Sequence, residues 1–371
     1  MKKNTFILEK KFLLDQKLSS DKNKKKNIPF QHFSSILIYI LLSINLFYII
    51  KLFNYLKNRD MKFLKIGDIP NRNNFNNTYN ERKEEDNISK KIDSNNESIQ
   101  FNNISFESID LNNLKLIENK IKYYAELKQG EKKFINGLMR TIKPKKIVEI
   151  GVSKGGSSAL ILNAIKDIKD AKLFSIDKSV YCYNKKNKKT GYLIQEKFPE
   201  LMEKWTLYTG GITSEFIETI GDGIDLAYID TAHYTPGEML DWLMVLPFLK
   251  NEALVILHDV FILYHGGKVA KKKLITSNNQ LLCYIRGELI LPHYGESIFF
   301  RNIGALKLAV EQKKYYYQYF LALGIQWEYM PSSKDLKLMR NFFMKYYGKK
   351  YVEIYDDAVA KNKIYLNNIK K

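Results

Sequence analysis

The chain has 371 residues, 45% of them hydrophobic and 13% aromatic, so it can bury one large core or two smaller ones. The formal net charge of +20 fits a protein that meets nucleic acid, membranes or acidic substrates, but equally a Lys-rich chain whose lysines are only solvated. The two cysteines, Cys182 and Cys283, are far apart, which excludes a disulfide framework and a cysteine-based zinc site.

An apolar segment near the start predicts a membrane anchor. Residues 1–26 form a basic tail, and the anchor is predicted within residues 27–52. Residues 33–50 are mostly Ile, Leu, Tyr and Phe and contain no charge. As a helix they would extend about 27 Å, close to the thickness of a bilayer core. The sequence therefore predicts a membrane partner, contacted through residues 33–50.

The composition then changes twice along the chain. Residues 53–108 are rich in Asn, Ser, Lys and Glu, which predicts a flexible linker. Helical spacing resumes in LKLIENKIKYYAELKQGEKKFINGLMRTI, with an interruption at Gly130 and an end at Pro144. We expect a catalytic domain over residues 109–303 and a helical basic and aromatic extension over residues 304–371.

The central region alternates between short apolar runs and helical patterns. The runs KIVEIG, AKLFSID, TLYTG, IDLAYID and ALVILHD are predicted strands, and SSALILNAIKDI, LIQEKFPELMEKW and PGEMLDWLMVLPFL are predicted helices. This rhythm predicts an α/β fold with a Rossmann-like, doubly wound parallel sheet. Ligands of such folds bind beyond the carboxyl ends of the strands.

The charged residues of the predicted strands cluster at those ends. Glu149 and Asp177 close the first two strands, Asp230 closes the fourth, and His258 with Asp259 closes the fifth. A carboxylate buried inside a strand costs several kcal/mol unless it is paired, so acids placed only at strand ends indicate an accessible site. The alternative is that strand ends are simply polar.

The loop after the first strand indicates the ligand. Its glycines, Gly151, Gly155 and Gly156, let a ligand approach the backbone, but their spacing fits neither a P-loop nor a dinucleotide fingerprint. Glu149 would repel a pyrophosphate yet can accept a hydrogen bond from an ammonium group, and Asp177 suits the two hydroxyls of a ribose. A ribose, an ammonium group and no phosphate describe S-adenosylmethionine.

Four motifs in order resemble a known family. VEIGVSKGGSSAL, FSID, DLAYIDTAHYTPGE and VILHDV are similar to class I S-adenosylmethionine-dependent methyltransferases. The closer resemblance is to the subgroup of cephalosporin hydroxylase and rhamnosyl O-methyltransferase proteins, and more remotely to catechol-type O-methyltransferases. It covers residues 125–300 and implies transfer of a methyl group to a hydroxyl of a saccharide or another small acceptor.

The resemblance also implies residue roles. Glu149, Gly151, Gly155 and Ser157 would line the methionine end of the cofactor, and Asp177 would hold the ribose. The stretch from Gly211 to Thr213 would lie near the adenine.

Asp230 and Asp259 occupy positions that hold a divalent metal in the catechol-type relatives, so Mg²⁺ is a candidate cofactor. The Asn that follows the second acid in those relatives is Val260 here. The alternative is that both acids bind loop amides.

His233 is the leading candidate for the base that accepts the proton of the acceptor hydroxyl. The following residues, Thr235-Pro236-Gly237-Glu238, have the pattern of a capping box, which predicts that a helix begins just after His233. An imidazole with a pKa near 6.5 can take a proton in the transition state. His258 and His265 are rival bases, and His258 is the better placed to orient Asp259. A purely structural role of His233 is the alternative.

The C-terminal region from Gly304 on predicts two amphipathic helices, the second capped at Ser332. No nucleic-acid-binding module is recognisable, so nucleic acid is not an expected partner.

Two other functions stay open from the sequence: a membrane-tethered binding protein with a degenerate methyltransferase fold, and a nucleotide-dependent oxidoreductase. S-adenosylmethionine is made in the cytosol, so we expect a membrane-associated protein with a cytoplasmic catalytic domain. Basic residues on both sides of the anchor leave the topology open, a start at Met61 would remove the anchor, and the oligomeric state is not predicted.

Overall fold

The structure is a computed structural model that describes residues 101, 104–183, 185–260, 281, 284–293 and 302–369. All of these residues belong to one compact unit, Ser98–Lys371. The predicted basic tail, the anchor and most of the linker lie outside the described residues. The predicted domain boundaries stay a prediction.

A seven-stranded mixed sheet forms the centre of this unit, in the order β5-β2-β1-β6-β7-β9-β8. Its five neighbouring parallel strands are β1 Lys146–Ile150, β2 Lys172–Asp177, β5 Trp205–Thr209, β6 Ile224–Ile229 and β7 Leu249–His258. Strand β9 (Ile303–Leu308) pairs antiparallel with β7, and β8 (Gly287–Ile290) pairs antiparallel with β9. A separate two-stranded hairpin consists of β3 Tyr181–Cys182 and β4 Lys185–Lys189.

Helices connect and cover the strands. They are α1 Leu111–Lys115, α2 Glu118–Ile121, α3 Gln129–Ile142, α4 Gly156–Ile165, α5 Tyr192–Lys197, α6 Thr213–Ile220, α7 Gly237–Val245, α8 Tyr316–Ala322, α9 Ser333–Tyr346 and α10 Lys349–Ile369. Short 3-10 turns lie at Phe106–Ser108, Pro199–Lys204, Leu246–Phe248 and Gln312–Tyr315.

The strands bury side chains on both faces of the sheet. In β6, Leu226 and Tyr228 join the hydrophobic cluster that contains α3 and α4, whereas Ala227 and Ile229 join the cluster that contains α7 and the C-terminal helices. This alternation is the period of two that a strand imposes on its side chains. The continuous apolar runs of the sequence are therefore explained, since both faces of each central strand are covered.

The C-terminal helices share the second of these cores. Phe320 of α8 is fully buried and packs edge-on against Phe343 of α9, with ring centroids 5.2 Å apart. Tyr347, directly after α9, donates a 2.6 Å hydrogen bond to the carbonyl of Leu243 in α7. The region after the sheet is thus part of the core that supports α7.

The observed fold confirms the Rossmann-like α/β prediction, with a mixed sheet in place of a wholly parallel one. The two antiparallel strands were not predicted, because the β9 sequence IGALKL is a short apolar run continuous with a helical pattern. Gly130 lies within the first turn of α3 instead of interrupting it, and the region after β9 contains three helices, not two.

The membrane association predicted from the sequence is corrected. Across the described ranges, no helix combines the length and the apolar character needed to cross a membrane. Even α10, with 21 residues, carries charged side chains such as Lys349, Glu353 and Asp357 along its length. The apolar residues 33–50 lie outside the described residues, so the predicted anchor and the localisation derived from it find no support.

Neighbouring residues of α8 provide a test of the C-terminal core. We expect Phe320→Ala to lower the free energy of unfolding by about 3–5 kcal/mol, because it leaves a cavity between α8 and α9. Leu321→Ala is the matched control, since Leu321 is 50% exposed, and should change stability by no more than about 0.5 kcal/mol. Urea unfolding of the full chain measures the stability of both variants. Equal losses of stability would contradict a core that α8 and α9 share.

Candidate functional site

The carboxyl ends of the parallel strands open into one cavity of about 540 Å³. It is lined by residues that follow β1, β2, β5, β6 and β7, by residues 124–127 before α3, and by residues 329–339 of the C-terminal region. A volume of this size accommodates a small-molecule ligand. Of the sequence-predicted residues, those that line the cavity are Gly151, Gly156, Ser157, Asp177, Gly211, Thr213, Asp230, His233, His258 and Asp259.

The loop after β1 lies close to the end of β6. Gly151 has a φ of +94°, and a Cβ at this position would lie 1.8 Å from the carbonyl oxygen of Asp230. Gly156 is equally constrained, because its Cβ would lie 2.3 Å from the backbone of Ala125. Gly155 has a φ of +93° and precedes α4, but it does not belong to the cavity lining. The glycines thus allow backbone to approach backbone as well as ligand.

Glu149 is fully buried and is not among the residues that line the cavity. Its carboxylate accepts three hydrogen bonds of 2.6 Å, from the hydroxyls of Ser157, Ser158 and Ser175. Burial raises the pKa of Glu149 to about 7, although the three hydroxyls act in the opposite direction. The structure therefore places Glu149 beneath the loop, where it ties β1 to α4 and β2.

Asp177 reaches the same loop from the end of β2. Its Oδ2 accepts hydrogen bonds from the backbone N–H groups of Val152 and Ser153, both at 3.0 Å, and its Oδ1 accepts one of 2.8 Å from Ser179. Each carboxylate oxygen can accept more than one hydrogen bond. Asp177 can therefore hold the loop and still accept from a ligand hydroxyl.

A partly buried acid that sequence reasoning missed joins the β5 and β6 ends. Asp241 of α7 accepts hydrogen bonds from the hydroxyls of Thr213, at 2.7 Å, and Thr231, at 2.8 Å. Burial raises the pKa of Asp241 above its usual range. Its position inside the helical run EMLDWLM gave no sign that it faces the site.

The ends of β6 and β7 bring two histidines among four carboxylates. His233 lies between two of them, with Nδ1 3.0 Å from Glu238 Oε1 and Nε2 3.0 Å from Asp259 Oδ2. His258 has Nδ1 3.3 Å from Asp230 Oδ2 and 3.4 Å from Asp259 Oδ2. On its other side, His258 Nε2 lies 3.4 Å from Oε2 of the buried Glu131 in α3. We call these six residues the acid–histidine cluster.

Glu238 takes part in this cluster instead of capping α7. The Thr235 hydroxyl donates to the carbonyl of Gln326 at 2.7 Å, so the capping box predicted from TPGE does not form. Glu238 is fully buried and its carboxylate contacts His233. His233 itself lies in the loop and faces the cavity, as the sequence predicted.

The two imidazoles carry the positive charge of the cluster. Burial disfavours protonation of His233, but the hydrogen bond with Glu238 and the nearby carboxylates outweigh it and raise its pKa to about 9. His258 is buried too, and its carboxylate partners hold its pKa well above the usual range. Burial opposes ionisation of Asp259, yet its bonds with His258 lower its pKa to about 2.

The backbone at Asp259 has an uncommon conformation. Its φ is +54°, in the left-handed region that residues other than glycine seldom adopt. Asn302, just before β9, donates a 2.5 Å hydrogen bond from Nδ2 to Asp259 Oδ1. Asn302 was missed, because it follows Asp259 by more than forty positions in sequence. Outliers of this kind are concentrated at functional sites.

Three members of the cluster lie close enough together to share a cation. One ligand atom each from Asp230, His233 and Asp259 lies within 4.8 Å of the others. Carboxylate oxygens suit Mg²⁺, and a mixed set of carboxylates and imidazole suits Mn²⁺ and related ions. The described residues can therefore hold a divalent cation at the β6 and β7 ends.

The match to known proteins falls on this region. Residues 148–260 match a family model described as a methyltransferase domain. These residues form a class I S-adenosylmethionine-dependent methyltransferase domain. The match confirms the family that the motifs resemble, while the subgroup stays a prediction. No curated protein matches the chain.

Solved structures similar to this methyltransferase share little sequence with it. A Podospora anserina methyltransferase bound to SAH is 15% identical, with 53% of this chain and 87% of that chain covered and a TM-score of 0.37. The O-methyltransferase TomG from Streptomyces achromogenes in complex with SAM is 14% identical, with 54% and 89% covered and a TM-score of 0.37. A putative O-methyltransferase from Klebsiella pneumoniae is 15% identical, with 53% and 90% covered and a TM-score of 0.38.

Glu149 gives a pH-dependent test of the loop structure. With a folded pKa of about 7, the folded state binds a proton that the unfolded state releases near pH 4.5, so ionisation of Glu149 costs stability as the pH rises from 4.5 through 7. The cost is on the order of 3 kcal/mol above pH 7. Glu149→Gln should therefore gain stability relative to wild type between pH 5 and pH 8, measured by urea unfolding.

The matched control is Glu203→Gln, since Glu203 is exposed. Its stability difference from wild type should be the same at both pH values. A pH-independent difference for Glu149→Gln as well would mean that Glu149 ionises normally in the folded protein.

Proposed function

We propose that this methyltransferase transfers the methyl group of S-adenosylmethionine to a hydroxyl oxygen of a saccharide or another small acceptor. The observation that carries the proposal is that Asp230, His233, His258 and Asp259 of the acid–histidine cluster line the same cavity as the loop after β1. The choice of a saccharide rests on the resemblance of the motifs to rhamnosyl O-methyltransferases. The degenerate binding protein and the oxidoreductase gain no support.

The cofactor residues lie along the β1 and β2 ends. Gly151 and Gly156 line the cavity where backbone segments pack closely, and Ser157 lines the same wall. Asp177 offers carboxylate oxygens to the ribose hydroxyls. Glu149 acts beneath the surface and positions Ser157, whose hydroxyl it binds. Bound S-adenosylmethionine supplies an electrophilic methyl group on a sulfonium.

The acceptor residues lie at the β6 and β7 ends. Transfer needs the acceptor oxygen in line with the methyl group, and correct positioning alone can contribute several kcal/mol. Asp230 and Asp259 can accept hydrogen bonds from acceptor hydroxyls, and His233 Nε2 faces the same space. His258, between both acids, keeps their carboxylates in place.

Removal of the acceptor proton depends on how the cluster is charged. With a pKa of about 9, His233 is protonated at neutral pH and accepts a proton only when it has first lost its own. We propose that Asp230, Asp259 and the neutral form of His233 would hold a divalent cation, Mg²⁺ or Mn²⁺, whose binding releases the proton of His233. When bound, such a cation would polarise the acceptor hydroxyl and lower its pKa, so that its proton could leave to water.

Cofactor binding gives the first test. The full chain should bind S-adenosylmethionine and not NAD in isothermal titration calorimetry. Asp177→Asn should weaken binding by the roughly 1.5–3 kcal/mol typical of a charged hydrogen bond, which is about ten- to a hundredfold. Asp222→Asn, at an exposed residue before β6, is the control and should bind like wild type. If the chain binds NAD but not S-adenosylmethionine, the proposed function is refuted.

The cation proposal is tested by direct binding of Mn²⁺, followed by electron paramagnetic resonance. Asp259→Asn and His233→Gln should each lower the affinity at least tenfold, because each removes one of three ligands. His293→Gln changes an exposed histidine and should leave the affinity unchanged. If wild type binds no Mn²⁺ or Mg²⁺, the cation is excluded, and His233 remains as the base.

The reaction itself is tested with radiolabelled S-adenosylmethionine and a panel of saccharides and phenols. The product should carry the label on an oxygen, as located by mass spectrometry and NMR. Asp259→Asn should lower turnover at least a hundredfold, in keeping with loss of a catalytic group, while cofactor affinity changes less than about twofold. Transfer to nitrogen or carbon would contradict the proposal.

A further inference from the structure

The C-terminal region contributes a wall to the cavity that the family match does not cover. Tyr329, Pro331, Asp335 and Met339 line the cavity together with Asp177 of the family domain. All four lie well beyond the matched residues 148–260. Their presence in the lining calls for a role in ligand binding that the family match does not assign.

Backbone and side-chain hydrogen bonds connect this wall to the loop that carries His233. The backbone N–H of Glu328 donates to the carbonyl of Thr235 at 2.8 Å, and the Thr235 hydroxyl donates to the carbonyl of Gln326 at 2.7 Å. Between these two contacts, Trp327 is fully buried, and its backbone N–H donates to Asn362 Oδ1 of α10 at 2.8 Å. The wall is therefore a fixed part of the core.

Ion pairs place the start of α9 beside the ends of β2 and β5. Lys178 directly follows Asp177, and its Nζ lies 2.6 Å from Asp335 Oδ2. Lys334 lies 3.3 Å from Glu215 in the first turn of α6, just after β5. Asp335 is only 8% exposed, and its backbone N–H binds the hydroxyl of Ser332, which caps α9. These contacts place the start of α9 beside the residues that follow β2 and β5.

The lining on this side suits a flat heteroaromatic ring. Its apolar part consists of Ile212, Leu240, Met244 and Met339. A methionine thioether packs favourably against an aromatic ring. At the edge of this apolar surface, the pair of Lys178 and Asp335 offers both a donor and an acceptor. Adenine has the matching properties, since its faces are apolar and its edge carries an amino group and ring nitrogens.

We infer that α9 completes the cofactor pocket, with Met339 against the face of the adenine and Asp335 as acceptor for its amino group. The inference rests on the proposed function, because it assigns residues to the adenine end of the same ligand. The methionine end would remain with the loop after β1, and the acceptor with the acid–histidine cluster.

Two methionines of α9 provide the first test. Met339 is buried in the lining, whereas Met344 is 39% exposed on the same helix. We expect Met339→Ala to weaken binding of SAH about tenfold and Met344→Ala to change it less than twofold, as measured by calorimetry on the full chain. Met339→Leu, which keeps the side-chain volume, should restore most of the affinity. Equal affinities of Met339→Ala and wild type would overturn the inference.

A second experiment asks whether Asp335 recognises the amino group. S-inosylhomocysteine differs from SAH by a carbonyl oxygen in place of that amino group and by a hydrogen on the neighbouring ring nitrogen. Wild type should prefer SAH at least tenfold, and Asp335→Asn should bring the two affinities within about threefold, because an amide can donate to the carbonyl. A preference that survives in Asp335→Asn refutes the assignment, even if this variant is less stable. Failure of wild type to bind SAH at all would instead refute the proposed function.

Discussion

The contact between Gly151 and the carbonyl oxygen of Asp230 sets the geometry of the whole site. Hydrogen bonds from Gly151 N to Ile176 O and from Asp230 N to Ile150 O, both 2.9 Å, hold the ends of β1, β2 and β6 in register. Any side chain at position 151 would separate them. The distance between the cofactor loop and the acid–histidine cluster is thus fixed by backbone. Methyl transfer requires such a fixed distance, since a small displacement of the acceptor costs much of the rate.

Charge is the second constraint on this site. A buried carboxylate needs a partner, and the cluster satisfies this need with a repeated arrangement in which each imidazole lies between an outer glutamate and an inner aspartate. Glu238 and Asp259 flank His233, and Glu131 and the two aspartates flank His258. The outer glutamates come from α3 and α7, so packing of those helices fixes the orientation of both rings. Second-layer carboxylates have this orienting effect on histidines in many metal sites.

The sequence predicted the parallel strands and the polar residues at their carboxyl ends because both follow from local patterns. Short apolar runs that end in Asp or His can be recognised without any knowledge of tertiary contacts. Local patterns did not reveal the surroundings of Glu149, whose three serine partners come from α4 and β2 and connect it to the loop, while its role toward a ligand stays a prediction.

Residues that reach the site through tertiary packing gave no local signal. Glu131 lies in an amphipathic helix, where an acid normally faces solvent, and Asp241 lies in a helix whose other residues are buried. Asn302 approaches Asp259 through strand pairing. Glu238 did carry a signal, but the pattern TPGE favoured a cap over a buried partner for His233. Strand β9 was missed for a related reason, because its apolar run is also compatible with a helix.

The cavity wall formed by residues 329–339 has a consequence for the order in which the domain folds during synthesis. A ribosome releases the strands that carry Asp177 and Asp230 before it has translated residues 329–339, and domains form from the N-terminus as the chain emerges. A nascent chain that ends at Leu308 has every strand of the sheet, yet it lacks one side of the cavity and the aromatic core around Phe320. A ligand stabilises only the state that binds it. If α9 completes the cofactor pocket as inferred above, S-adenosylmethionine stabilises the finished domain more than a nascent chain that ends before α9.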